Sequence, residues 1–462
     1  YGKHKVDFSL VYQLTFDPSR DLNSVIQTMM SSGVLVYAEP LYVHQMSFNP
    51  NDPSANLTGQ YALTKINAYN AWNVEQGDTN VVIGIVDSGT DWDHPDLQAN
   101  VAYNWNDPIN GVDDDNDGYI DNFRGWDVSE NDNDPMVVNS DHGSHVSGCA
   151  DAVTNNGVGV ASPGFRCRFL PVKSCLDAST TSIDNGYDGV YYAADHGCDV
   201  INCSWGRGGG PSQFEQDVIN FAVLDHDAVM VAAAGNTSSE EADYPPAYTN
   251  VVSVAATSSN DAKAGFSTYD FSVDVCAPGN QIYATVYNDT YTSYSGTSMA
   301  SPIAAGGVGL IRSRFPSMNA LQAAEQLRIT CDNIYNTPTS NSAYRDKLGK
   351  GRINLYKAVT DTTSPGVVVE NLTTSDNNDN VFIAGDTLQF QALFHNLLRP
   401  TTNLTCTLTT SSTNITILPA TYNPGAVNSG DTISNFSLPF RAIINAGTPL
   451  NTVVPFKITM YD

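Results

Sequence analysis

Basic side chains are scarce in this chain. Lys and Arg number 21 against 49 Asp and Glu, a formal net charge of −28 over 462 residues. A surface of that sign repels phosphate, so nucleic-acid tracking is excluded as a function class. Long apolar runs are missing too. None approaches the ~18 residues of a bilayer-spanning helix, so no transmembrane segment is expected. The eight cysteines lack the paired spacings that hold zinc, and they predict buried thiols with at most two or three disulfides. No Gly-x-Ser-x-Gly elbow is present, which argues against a lipase or esterase. The first residue is Tyr1, with neither Met nor a signal peptide before it, so the chain reads as processed or trimmed. What the sequence does have is length for two or three domains and an excess of carboxylates. That excess suits calcium binding or an exported protein, and equally a plain solvated acidic surface.

The chain is organised around Ser295-Gly296-Thr297-Ser298-Met299-Ala300-Ser301-Pro302. Small residues lead into an Ala/Gly-rich apolar run, 303–311, that predicts a buried helix. Ser298 then sits where free N–H groups and the positive dipole end favour a developing oxyanion. A lone serine there is an ordinary N-cap, and it becomes a nucleophile only with a base and an orienting acid. Residues 81–86 form a six-residue apolar run ending in Asp87-Ser88-Gly89-Thr90. Such a run suits a buried parallel strand, whose C-terminal end is where α/β sheets gather functional groups. Asp87 is therefore a candidate orienting acid, or else a turn residue. Asp141-His142-Gly143-Ser144-His145 opens a small-residue helix. His142 at its start is the candidate base, and His145, one turn in, is the competitor expected to pack.

Residues 107–141 carry eleven acidic side chains against one basic, Arg124. Asp113, Asp115, Asp117 and Asp121 alternate around Gly118, which is the pattern of hard-oxygen ligands for Ca²⁺. Arg124 stands where an EF-hand has its Glu, and no helical pattern flanks the loop, so an EF-hand is rejected. Asp127, Asp132 and Asp134 make a second candidate group. The alternative is a disordered acidic loop, against which Tyr119, Ile120, Phe123 and Trp126 argue.

From Arg168 onward strand-like and helix-like segments alternate, predicting a doubly wound, mostly parallel α/β sheet. Two turns at strand ends stand out. Ser204-Trp205-Gly206 could offer an open edge to an extended peptide, and Gly235-Asn236 could aim a side-chain amide at an oxyanion. Ahead of this domain, residues 1–48 read as strand, helix, strand, a small α+β segment. Behind it, 361–366 is a linker, and 366–462 turns Thr/Asn-rich with short alternating strands, predicting an antiparallel β-sandwich. The domains expected are thus 1–48, 52–360 and 366–462.

Asp87, His142 and Ser298 together supply the acid, base and nucleophile of a triad. With Asp87-Ser88-Gly89, His142-Gly143-Ser144-His145-Val146, Ala-Ala-Gly before Asn236, and Gly296-Thr297-Ser298-Met299-Ala300-Ser301-Pro302 in that order, the chain resembles the subtilisin-like serine proteases over residues 52–360. The resemblance implies a secreted or surface-attached endopeptidase acting on polypeptides. Asp87 would orient His142, which would deprotonate Ser298, while Asn236 and the Ser298 N–H hold the oxyanion. Ser204, Trp205 and Gly206 would pair with substrate backbone, and the acidic insertion would be a calcium site that shields or braces the cleft. Residues 1–48 resemble the latter part of a propeptide, implying an intramolecular inhibitor. Asp243 aligns with the floor of the primary specificity pocket, where a carboxylate favours Arg or Lys; alternatively Glu240, Glu241 and Asp243 are only an acidic rim. Ser144 and Ser147 depart from the Thr and Ala usual in the family, and Ile303 from its frequent His. A binding protein on the same fold is the rival class, and the presence of all four catalytic positions weighs against it.

Overall fold

The apolar run that ends at Asp87 forms a central strand, as its lack of alternation predicts. In the computed structural model, which describes every residue except 1–7, 18–19, 41–47, 56–58, 377 and 419, this is β1, Val82–Asp87. The sheet is completed by β2 (Trp126–Asp127), β3 (Arg168–Lys173), β4 (Val200–Cys203), β5 (Val229–Ala233), β6 (Val251–Thr257) and β7 (Val275–Pro278). Its order is β2-β3-β1-β4-β5-β6-β7, with every pairing parallel. Flanking helices at His142–Asp151, Gly186–Asp195 and Thr297–Arg314 pack on it. Ile83, Ile85 and Val86 are almost wholly buried, each contributing roughly 1.5–3 kcal/mol of apolar burial.

Register fixes where function can sit. Asp87 pairs with Lys173, and Val86 with Cys203, so Ser204 begins one strand over at the level of Asp87. Ala233, at the end of β5, leads into Gly235-Asn236. All these positions lie at the C-terminal edge of one parallel sheet. A hairpin, β8 (Ile282–Val286) and β9 (Thr290–Tyr294), packs against the His142 helix. The sequence patterns did not indicate it.

Residues 1–47 and 48–462 form two compact units. In the first, the expected helix forms at Leu22–Ser31, and Asp21 caps it by accepting from Ser24 N at 2.7 Å. The flanking strands do not form among the described residues. Phe8–Leu10 makes a 3₁₀ turn, while Leu10, Tyr12, Val34 and Val36 stay exposed. An alternating segment becomes a strand only if a partner covers its apolar face, and part of the expected partner, 41–47, lies outside the described residues. At the other end of the chain, from Val367 on, a five-stranded and a three-stranded antiparallel sheet share one core containing Phe390, Phe394, Leu404, Cys406 and Phe440. All eight cysteines are free and seven are buried.

Candidate active site

Asp87 is the last residue of β1 and is 1 % exposed. Its Oδ1 accepts from Ser88 N at 2.8 Å and from His142 Nδ1 at 2.7 Å, while Oδ2 is buried without a partner. The His142 helix can come this close because its second residue is glycine. A Cβ at Gly143 would lie 2.3 Å from the Gly89 carbonyl oxygen and 3.2 Å from the Asp87 Cβ. Hydroxyls lock the same contact. Gly143 N donates to Ser88 Oγ, Asp91 N donates to Ser144 Oγ, and Ser147 Oγ bonds Thr90 Oγ1. Burial alone lowers the pKa of the His142 imidazole. The Asp87 carboxylate, by charge and hydrogen bond, with a smaller contribution from Asp141, outweighs burial and leaves that pKa raised above its ordinary 6.5. With Nδ1–H held by Asp87, Nε2 is the nitrogen free to take a proton.

Ser298 is the second residue of the helix Thr297–Arg314 and is 9 % exposed. Pro302 has no N–H for the Ser298 carbonyl, and Ser204 Oγ supplies the missing donor at 2.9 Å. The Ser298 hydroxyl donates back to the Ser204 carbonyl at 3.0 Å, so it rests on Ser204 and makes no hydrogen bond to His142. Because Ser204 follows β4, which pairs with β1, the residue on which the hydroxyl rests and the Asp87–His142 pair follow adjacent strands of one sheet. The Asn236 side-chain Oδ1 accepts from Thr297 N (2.9 Å) and Thr297 Oγ1 (3.1 Å). That fixes the flip of the amide and turns Nδ2 the other way. A Cβ at Gly296 would lie 3.6 Å from Ser298 N and 3.7 Å from Asn236 Nδ2, so the two donors face one small space. Acid, imidazole, hydroxyl and paired N–H donors at one edge are the parts of acyl transfer.

Known proteins are similar to this chain in sequence and fold. The sequence profile of the Subtilase family matches residues 78–351. The chain belongs to the subtilase family. It is 38 % identical over 312 residues to thermitase of Thermoactinomyces vulgaris, covering 68 % of this chain and 99 % of thermitase. It is 33 % identical over 326 residues to the halolysin-like extracellular serine protease Nep of Natrialba magadii, covering 70 % and 55 %. Among solved structures, proteases of Pseudoalteromonas arctica superpose with a TM-score of 0.56 at 26 % identity, covering 68 % of this chain and 99 % of that one. The protein is thus a subtilase-type serine endopeptidase, and its substrates are polypeptides.

The remaining expected positions of this subtilase fall as follows. Trp205 turns its indole back onto Gly186 and donates Nε1–H to the Val86 carbonyl. Gly206 is exposed, and the next pairing is Arg207 with Tyr244, so Trp205 and Gly206 lie outside any strand pairing. Asp243 is half-buried beside Gly235. In the acidic loop, Asp107, Asp113 and Asp115 bring carboxylate oxygens within 4.8 Å of one another. Asp113 Oδ1 is buried without a partner, a donor set that fits a hard cation. Asp107 went unnoticed as a ligand because five residues separate it from the alternating run. The other expected ligands hold hydrogen bonds or ion pairs, as Asp107 and Asp115 also do. Asp117 pairs with His196 at 3.0 Å, Asp121 accepts from Asn110 N and Gly111 N, and Asp127 pairs with Lys173 at 2.6 Å. Asp132 and Asp134 accept from the backbone N–H groups of Asp134 and Met136.

Asp115 and Asp117 line a cleft with Val82 and Arg168, the first residues of β1 and β3. This part of the loop lies at the end of the sheet opposite Asp87, while its later part reaches the Asp87 end, where Thr90 N donates to the Pro135 carbonyl and Ser88 Oγ to the Ser140 carbonyl. Two further carboxylates were missed. Asp52 accepts from Asn155 N and Asn156 N, and Asp96 from Val160 N and the Asn156 amide. Burial raises both, Asp96 to about 6.

Proposed function

We propose that Asp87, His142 and Ser298 form the catalytic triad of this endopeptidase. The observation that carries the reading is the 2.7 Å Asp87–His142 bond at a strand end beside the strand that holds the Ser298 hydroxyl. Rotation of the Ser298 side chain off Ser204 would bring its hydroxyl to His142 Nε2, which takes the proton as Oγ attacks the carbonyl carbon of the peptide. Asn236 Nδ2 and Ser298 N then stabilise the oxyanion. His142 returns the proton to the leaving amine, and water hydrolyses the acyl-enzyme by the same steps. Ser204, Trp205 and Gly206 hold the substrate main chain as an added strand.

Calcium would be held by Asp107, Asp113 and Asp115, where it neutralises converging carboxylates and supplies stability, not chemistry. Residues 1–48 act as an intramolecular inhibitor of the peptidase domain, 52–360, and residues 366–462 as an Ig-like sandwich accessory domain. Export is supported by a relative whose name calls it extracellular; among the described residues no helix is long and apolar enough to cross a membrane. Treating the protein with a fluorophosphonate, with and without residues 1–48, and mapping the adduct by mass spectrometry tests this reading. Label on Ser298, faster without the N-terminal segment, is expected. Label elsewhere, or in neither form, contradicts it.

A further inference from the structure

Asn202 is the third residue of β4, with Ile85 of β1 and Val231 of β5 beside it in register. It is wholly buried. An amide at the centre of an apolar sheet is tolerated only with its hydrogen bonds made, and this one is engaged at both ends. Its Oδ1 accepts from Ser301 Oγ at 2.6 Å, and its Nδ2 donates to Ser204 Oγ at 3.0 Å. Ser301 lies in the Ser298 helix and is also wholly buried. A helical serine ordinarily returns its hydroxyl to the carbonyl one turn back. Ser301 turns its hydroxyl to the sheet instead.

The bonds run in one direction, and Pro302 sets it. Because Pro302 has no N–H, the Ser298 carbonyl depends on the Ser204 hydroxyl for its donor. A hydroxyl has one proton to give. With that proton on Ser298, Ser204 Oγ can only accept from Asn202, so the amide must turn Nδ2 to Ser204 and Oδ1 to Ser301. The chain of bonds from Ser301 through Asn202 and Ser204 to Ser298 thus starts and ends on one helix and passes through β4. On the other flank of Ser298, Thr297 N and Oγ1 are held by Asn236. The nucleophile is thereby tethered on both sides, to β4 and to the turn after β5. Among the described residues no charged side chain bonds the side chains of Asn202, Ser204 or Ser301.

We propose that Asn202 is a positioning residue for Ser298. By fixing the direction of this chain of bonds it holds the Ser298 carbonyl, and with it the place from which Oγ attacks. The inference rests on the triad reading above. Breaking or reversing the chain leaves that carbonyl without a donor and frees the first turn of the helix to shift. A displacement near ~1 Å at a reacting group costs up to about 10²-fold, so a loss of about 10- to 100-fold in kcat is expected. KM should change little, because the Asn202 side chain lies inside the sheet and not on the surface that meets the substrate.

The test compares Asn202→Leu, Ser204→Ala and the double variant with the wild type by kcat and KM on one peptide. Fluorophosphonate titration carried to completion counts active sites, and circular dichroism checks the fold. Each single change should lower kcat about 10- to 100-fold. The double change should lose no more than the larger single one, since Asn202 acts through the Ser204 hydroxyl. Asn202→Asp supplies a readout that a merely structural role would not move. An ionised carboxylate only accepts, so it draws the Ser204 proton away from Ser298, whereas the protonated acid offers one donor and one acceptor as the amide does. Burial favours the protonated form. The kcat of Asn202→Asp relative to the wild type should therefore be close to one at pH 6 and fall as pH rises toward 10. If neither Asn202 variant folds, the kcat of Ser204→Ala decides. A kcat within about threefold of the wild type in Asn202→Leu or Ser204→Ala, single losses that multiply, or an Asn202→Asp ratio that does not move with pH overturns the inference and leaves the endopeptidase intact. Absence of both labelling and turnover in the wild type overturns the triad reading, and the inference falls with it.

Discussion

Replacing Asp87 by Asn removes one negative charge and little else. The amide keeps an oxygen for Ser88 N, so the strand end should hold its shape. What changes is the imidazole. Two unit charges about 4 Å apart at an effective dielectric near 20 attract by ~4 kcal/mol. The His142 side chain is 34 % exposed, so solvent reduces this to roughly 2–4 kcal/mol. That attraction is fully expressed only once His142 has taken the serine proton. Its loss costs about 30- to 1,000-fold in rate, and loss of the fixed tautomer brings the total to about 10⁴. The pH profile should move as well. His142 must be neutral to act, so wild-type activity falls as pH drops through its raised pKa, above 6.5. With Asp87 neutral, burial becomes the dominant influence and the acidic limb shifts to lower pH. Steady-state kcat and kcat/KM from pH 5 to 9, with circular dichroism to check the fold, measure both effects. A variant that keeps more than about a tenth of the wild-type kcat, with an unmoved acidic limb, refutes the reasoning.

Other expectations follow from individual contacts. Asn236→Ala removes Nδ2 from the oxyanion space and should lower kcat about 10²–10³-fold with little change in KM, measured on one peptide series. His145 is wholly buried, with Nε2 bonded to the carbonyls of Ile282 and Thr292, and burial lowers its pKa to about 4. Its neutral form is the one the fold accepts, so stability is present above pH 6.5 and is lost as pH falls toward 4, by roughly 3 kcal/mol. Chemical denaturation across that range should show the slope, reduced in His145→Gln. Chelation with EDTA should lower Tm and added Ca²⁺ should restore it; Asp113→Asn should weaken the response, and an unchanged Tm would count against the Asp107–Asp113–Asp115 site.

The parts of this protein that could be read in advance are those decided locally. An unbroken apolar run announces β1 and therefore the placement of Asp87, and an Ala/Gly-rich run after a small-residue turn announces the Ser298 helix. The hairpin at 282–294 was missed because β9, Thr290–Tyr294, is rich in Thr, Ser and Tyr and half exposed, so its pattern resembles a loop. The N-terminal alternation is the opposite case: its period suits a strand, but among the described residues no partner strand covers it. In the acidic loop, spacing singled out Asp113 and Asp115, whose carboxylates converge with that of Asp107. It gave no sign that Asp117 meets His196 or that Asp127 meets Lys173, because those partners lie far away in the chain. Close approach is invisible for the same reason. Nothing next to Gly143 in sequence says that the Gly89 carbonyl is its neighbour.

A carboxylate, an imidazole and a hydroxyl working as one unit is the claim on which everything else depends. The most direct measurement of it is kcat for Ser298→Ala, for His142→Ala and for the two combined. Each single change should cost on the order of 10⁶, and the double change should cost no more than either alone. Losses that instead multiply, or a Ser298→Ala protein that still cleaves peptides, would show that the two side chains do not share one reaction.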